Sequence, residues 1–302
     1  MRIIEAVALA ACVVVTAGGC GQTPEAKAAE LRSLEAARVQ ALKQRIAAAD
    51  AEPSKQMLVA KWIVPPELRE ISGLALRPDG LVLTHDDEVG TVYVIDPKAG
   101  IVLKKFSLQG ERHGDFEAIT IAGNDIYLLE SNGHIFKFRE GADGAQVPYS
   151  RFDTHLGKEC EFESMVFDPD SARLLLACKK VQKELAHHEL VIFAFPLPLG
   201  KDTAPPTMMT VPIRDVIGSN NWKNFHASDM TIDPFTKNYV IIASREKGLV
   251  EITPDGDVVR SVPLPPGHNQ PEGVAITKDS LLLISDEAHM TPAAIALYRW
   301  RP

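Results

Sequence analysis

A chain of 302 residues, 45% apolar and 24% charged, has an ordinary globular composition and enough length for a large core. Its formal net charge of -8 leaves no basic excess to neutralise phosphates, which argues against a nucleic-acid partner and against a lipid surface sought by charge. No P-loop, G-x-S-x-G, H-E-x-x-H or C-x-x-C pattern occurs, so the common phosphate-cradling, nucleophilic, zinc-protease and dithiol chemistries have no sequence support.

Met1-Arg2 is followed by a continuous apolar run, 6–16, with the length of a signal-peptide core and too short to span a bilayer as a permanent helix. The run ends in Ala17-Gly-Gly-Cys20, which resembles the lipobox of bacterial lipoproteins, although Leu is commoner at the Ala17 position. The resemblance implies a signal peptide over 1–19, lipidation of Cys20, and firm anchoring by several acyl chains. Gly21 stands where an Asp would signal inner-membrane retention, so the implied place is the outer membrane, facing the periplasm. An ordinary secretory signal with an incidental Cys is the alternative. Residues 20–56 complete this leader. They are rich in Ala, Glu, Lys, Arg and Gln, with Leu31, Leu34, Ala37, Val39 and Leu42 loosely at helical spacing between Pro24 and Pro53. They are expected to form a helical tether of about 25 residues, with a partner-binding coiled coil as the second reading.

The remainder, 57–302, repeats one pattern. Ile71-Ser-Gly-Leu-Ala-Leu76 precedes an apolar strand, and so do Gly114-Asp-Phe-Glu-Ala-Ile-Thr120, Glu161-Phe-Glu-Ser-Met-Val-Phe-Asp168, Ala227-Ser-Asp-Met-Thr-Ile-Asp233 and Gln270-Pro-Glu-Gly-Val-Ala-Ile276. The equivalent residues Ser72, Glu117, Glu163, Ser228 and Glu272 are 45, 46, 65 and 44 positions apart. Short strands at a fixed period near this length, broken by turns such as Asn132-Gly133, specify an all-β propeller with one four-stranded blade per repeat. Five blades are expected, with six as the alternative. The long third interval is assigned to an excursion through 201–206 and 215–225. The fifth repeat runs out of chain one strand short, and Met57-Leu-Val-Ala-Lys-Trp-Ile-Val64 belongs to no other blade. It is expected to pair with 294–300 and close the ring, leaving no open edge in the last blade.

Taken together, Gly114-Asp-Phe-Glu-Ala-Ile, Cys160-Glu-Phe-Glu-Ser-Met-Val-Phe-Asp, Leu176-Ala-Cys-Lys-Lys, Ser228-Asp-Met-Thr-Ile-Asp-Pro and Gln270-Pro-Glu-Gly-Val-Ala-Ile resemble the SdiA-regulated family of bacterial propellers. The likeness runs from about Trp62 to Trp300. It implies an exported β-propeller, with Ca²⁺ among the ligands the family suggests, and no settled activity.

In a propeller the innermost strands line the channel, and their starts meet the ends of their neighbours at one mouth. That places Asp115, Glu117, Glu161, Glu163, Asp229 and Glu272 beside Asp86, Asp87, Glu130, Lys179, Arg245, Asp286 and Glu287. His85, His113, His226 and His289 fall at the same edges. So many carboxylates in one place need protons, cations or basic side chains. A hard cation is the simplest neutraliser, which makes Asp115, Glu117, Glu163, Asp229 and Glu272 candidate Ca²⁺ ligands. His85, Asp86, Asp87, His113, Glu130, Lys179, Arg245 and Asp286 are then candidate ligand-binding residues around them. Bonding of the acids to backbone amides and to Lys179 and Arg245 is the structural alternative. Cys160 and Cys178 flank one predicted hairpin and are expected to form a disulfide in an oxidising compartment, two buried thiols being the other outcome.

Two functions fit these residues. One is a lipid-anchored binding module with an acidic mouth and a small-molecule or envelope-protein ligand. The other, by analogy of fold with calcium-dependent lactonases and phytases, is a metal-dependent hydrolase with Glu130 or His113 as base. The paired-Asn pattern of the lactonases is missing.

Overall fold

The computed structural model describes residues 24–52, 58–110, 112–182, 185–186 and 188–301. The expected signal peptide and the lipidation site Cys20 lie outside these residues. No helix among the described residues is long and apolar enough to cross a membrane.

The described residues open with helix α1 (Pro24–Ala51) and strand β1 (Leu58–Ile63). Blade I follows as β2 (Ile71–Leu76), β3 (Val82–Asp86), β4 (Thr91–Asp96) and β5 (Ile101–Leu108). Blade II is β6 (Phe116–Ala122), β7 (Asp125–Glu130) and β8 (His134–Phe138), then a two-residue β9 (Gln146–Val147) and β10 (Tyr149–Asp153). Blade III is β11 (Cys160–Asp168), β12 (Arg173–Val181), β13 (Glu189–Pro196) and β14 (Thr207–Pro212). A short helix α2 (Ile213–Ile217) leads to blade IV, β15 (Asp229–Ile232), β16 (Tyr239–Ala243), β17 (Gly248–Ile252) and β18 (Val258–Pro263). Blade V is β19 (Pro271–Ile276), β20 (Leu281–Asp286) and β21 (Ala294–Arg299).

The five sheets make a five-bladed propeller, and the sheet order β1-β21-β20-β19 closes it where the sequence expects. Ala60 opposes Leu297 and Trp62 opposes Ile295 across that antiparallel seam. One detail differs from the strand reading. The segment assigned to the fourth strand of blade II divides, and β9 runs parallel to β5 on the edge of blade I before β10 joins β8.

The middle strands of the blades, such as β16 and β20, are buried along their whole length. They read as unbroken apolar runs because each blade packs a neighbour on both faces. The core accordingly forms a layer at each blade junction. Phe106, Phe116 and Phe136 fill the layer between blades I and II, with Phe116 and Phe136 edge to face at 5.6 Å. The Asn132-Gly133 turn has the left-handed glycine the hairpin needs, at φ 83°.

Helix α1 is not a free spacer along its length. Leu42, Ile46 and Ala49, one helical stripe, join the core layer between blades V and I. Arg38 donates to the Ala99 carbonyl at 3.0 Å and lies over the Trp62 ring at 5.4 Å, and Asp50 pairs with Arg299 at 2.7 Å. The first turns, with Leu31 and Leu34 exposed, carry none of this packing.

Candidate functional site at the channel mouth

The innermost strands β2, β6, β11 and β19 share one irregularity. Each has a register shift at the repeat position held by Ser72, Glu117, Glu163 or Glu272. A bulge adds one residue and re-aims its side chain. Phe116 and Ala118 therefore both enter core layers, while Glu117 between them turns to the axis. Small residues permit the close approach of these strands: a Cβ at Gly73 would stand 3.2 Å from Ala118 Cα, and one at Gly273 would stand 2.9 Å from the Ser72 carbonyl. Hydroxyls seal the ring, Ser72 donating to the Glu117 carbonyl at 3.0 Å and Ser228 to the Pro271 carbonyl at 3.0 Å.

Glu117, Glu163 and Glu272, from three blades, gather around Lys179. The lysine ammonium donates to Glu163 Oε1 at 2.5 Å. Burial, then the charges of Glu163 and Asp115, pushes the Glu117 carboxyl up to about 10. Burial also raises Glu163, to about 7, with Lys179 opposing the rise. Glu272 is raised by burial although the Ser244 hydroxyl, Lys179 and Lys247 hold it back. Burial works against the charge of Lys179, but Glu163 outweighs it and the ammonium is held above its usual range. Around one cation the site gathers three carboxyls whose protons are favoured by burial.

A second acid cluster lies alongside. Burial and a hydrogen bond with Glu70 push Glu287 up to about 8, and the Gln270 amide donates to Glu287. Asp87 rises to about 7 through burial and the charges of Glu70 and Asp86. Its Oδ1 is buried with no hydrogen-bond partner. The sequence reading missed Glu70. The signal was there: Glu70 stands two residues before Ser72, as Asp115 does before Glu117, Glu161 before Glu163 and Gln270 before Glu272.

The other candidates have different places. Asp229 is fully buried and accepts the backbone N–H groups of Val274 at 2.7 Å and Leu74 at 3.3 Å, so it fastens blade IV to blades V and I. Asp115 is exposed and accepts from the Ser131 hydroxyl at 2.5 Å. Asp86 caps its own turn by accepting from the amides of Glu88 and Val89. His85 is wholly buried, and burial lowers it to about 4. Glu130 lies 2.8 Å from Arg112 and 3.0 Å from His134. Asp286 lies 2.6 Å from His268, whose other ring nitrogen is 3.0 Å from the Tyr298 hydroxyl. His226 pairs with Glu246 at 2.8 Å in the same manner. In blades II, IV and V a basic group before the first strand thus clasps an acid at or just beyond the end of the second. His113 and His289 are exposed, and Arg245 is exposed without an ion pair among the described residues.

Among the described residues no three His, Cys, Asp or Glu side chains are placed to hold a metal ion. Asp229 and Asp115 have partners elsewhere, and Glu163 is turned to Lys179. The Cys160–Cys178 disulfide is present, with Cα atoms 5.5 Å apart, and it staples the longest hairpin, β11–β12, beside the mouth. A groove of about 780 Å³ lies away from these acids, between blades III and IV at the opposite ends of the inner strands.

Among solved structures, the PQQ-bound aldose sugar dehydrogenase from Streptomyces coelicolor is similar at 12% identity and a TM-score of 0.53, over 81% of this chain and 98% of that one. Glutaminyl cyclase from Myxococcus xanthus is similar at 12% identity and a TM-score of 0.53, over 82% of this chain and 97% of that one. At such identity the likeness speaks for the propeller fold and not for either activity. A comparison with curated proteins found no match. Residues 209–298, which span blades IV and V with their Ser228-Asp-Met-Thr-Ile-Asp and Gln270-Pro-Glu-Gly-Val-Ala motifs, match the model of the SdiA-regulated family, so the resemblance read from those motifs holds there.

Proposed function

We propose that the chain is a lipid-anchored envelope propeller that binds a cationic group at the channel mouth. One observation carries the reading: bulged strands bring Glu117, Glu163 and Glu272 within electrostatic reach of a single Lys179, which bonds Glu163. Positive charge is short there, and protons make up the difference. An arriving cation would displace those protons, so binding tightens as pH rises. The ligand is an ammonium or guanidinium group carried by a small molecule or an envelope protein, or a small cation such as Ca²⁺ whose binding would itself draw the three carboxylates together. The envelope location rests on the 6–20 pattern and is supported by the disulfide, which suits an oxidising compartment. The hydrolase alternative loses Glu130 as a free base, since it is engaged with Arg112 and His134, and is left with the exposed His113.

The test is thermal unfolding of the intact protein at mildly alkaline pH with EDTA, with Ca²⁺ and with spermidine. A ligand at ~100 times its dissociation constant adds about 2.7 kcal/mol, several degrees for a domain of this size. A rise with either cation that is lost in Glu117→Gln and Glu163→Gln supports the reading. No rise with either cation overturns it.

A further inference from the structure

The outermost strand of each blade has one side without a partner from its own blade, and such edges associate unless they are covered, charged or bent. Four of the five outer strands are guarded among the described residues. Strand β1 packs against α1 and carries Lys61. Strand β5 carries Lys104 and Lys105 and is covered by 143–147, with Gly144 N–H on the Lys105 carbonyl at 2.8 Å and Ser107 N–H on the Ala145 carbonyl at 2.9 Å. Strand β10 carries Arg151 and Asp153. Strand β18 carries Arg260, and the Asn220 amide donates to its Ser261 carbonyl at 3.2 Å.

Strand β14 has neither protection along Thr207-Met-Met-Thr-Val211. It ends its sheet, it bears no charge, and among the described residues the backbone of 208–210 bonds only within that sheet. Met208 and Thr210 are exposed. The groove beside it carries charge of both signs, Arg173 and Lys237 with Asp168, Asp170 and Asp255.

We infer that β14 is a self-association edge, pairing antiparallel with β14 of a second copy about a two-fold axis through Met209. A row of unpaired amides and carbonyls is recognised by another extended backbone. A two-fold interface must also complement itself, which a strand carrying charge of one sign cannot do without opposing like charges. Here Met209 meets Met209, Met208 meets Thr210, and Thr207 meets Val211. Pro212 ends the ladder, having no N–H to offer. The inference is independent of the reading of the channel mouth.

Sedimentation velocity of the intact protein tests it. The wild type is expected to be a dimer. Met208→Lys with Thr210→Lys sets lysines across from one another and is expected to weaken the dimer on the order of tenfold or more. Met208→Lys with Thr210→Glu sets opposite charges across the seam and is expected to keep it. Both side chains are exposed, and a wild-type unfolding midpoint shows that the fold is unchanged in each variant. A monomeric wild type up to hundreds of micromolar overturns the inference, whether or not a foreign peptide binds the edge. So does a dimer indifferent to the paired lysines.

Discussion

Replacing Glu117 by Gln is expected to change the pH dependence of stability in a direction opposite to that of a salt-bridged carboxylate. In the unfolded chain Glu117 loses its proton near its ordinary value of 4.5. In the fold, burial and then the charges of Glu163 and Asp115 keep the proton on up to about 10. Between those values the native state binds one more proton than the unfolded state. Stability from this group is complete below the lower value and falls as pH rises toward the upper one, by ~1.4 kcal/mol per pH unit. From about pH 5.5 to 7.5 that is an upper figure of about 2.7 kcal/mol, or roughly 5–10 °C in the midpoint for a domain of this size. Glutamine keeps the shape and carries no proton to lose, so Glu117→Gln should flatten the profile by that amount. The slope from Glu287, raised to about 8 in the neighbouring cluster, remains in both proteins and cancels, whereas Glu163, whose charge acts on Glu117, titrates together with it, so the difference between the profiles reports the pair. The assay is chemical denaturation of wild type and variant at closely spaced pH values. Parallel profiles would refute the assignment of a retained proton to Glu117.

Lys179→Met should behave in a complementary way. It removes the cation 2.5 Å from Glu163 and should cost about 1–3 kcal/mol near pH 8, discounted because a third of the lysine side chain is exposed, and much less near pH 5, where Glu163 takes a proton instead; denaturation midpoints at the two pH values check this. Cys160→Ser with Cys178→Ser opens an 18-residue separation and should cost on the order of 3 kcal/mol, read as a lower midpoint under non-reducing conditions. Leu42→Ala should cost about 2–5 kcal/mol if the second half of α1 belongs to the core, as its 3% exposure indicates; a midpoint within a degree of wild type would return the whole helix to the role of a spacer.

The fold was legible because it repeats. Five pairs of a carboxylate- or serine-bearing strand and an apolar strand gave the blade number, and one unassigned apolar strand gave the closure of β1 on β21. The mouth was legible as a set of positions and not as a set of free groups. Strict alternation places Asp115 and Glu117 on one face, but the bulge breaks the count, so Glu117 turns to the axis while Asp115 stays outside with Ser131. Position alone also did not decide the fate of the acids at the ends of the second strands. Glu130 and Asp286 hold equivalent places, and each is drawn away by one base in the loop before its inner strand, Arg112 or His268. In blade III the equivalent place, opposite Phe162, holds Cys178 of the disulfide, and the charge at the mouth comes from the next residue, Lys179. The repeat therefore supplies five similar frames, and substitutions at this pair of adjacent positions divide them between clasping blades together and gathering charge on the axis. Lys179 is the substitution on which the cluster turns: with an acid there, Glu117, Glu163 and Glu272 would face a fourth carboxylate and no cation, and the mouth could only remain closed by holding still more protons.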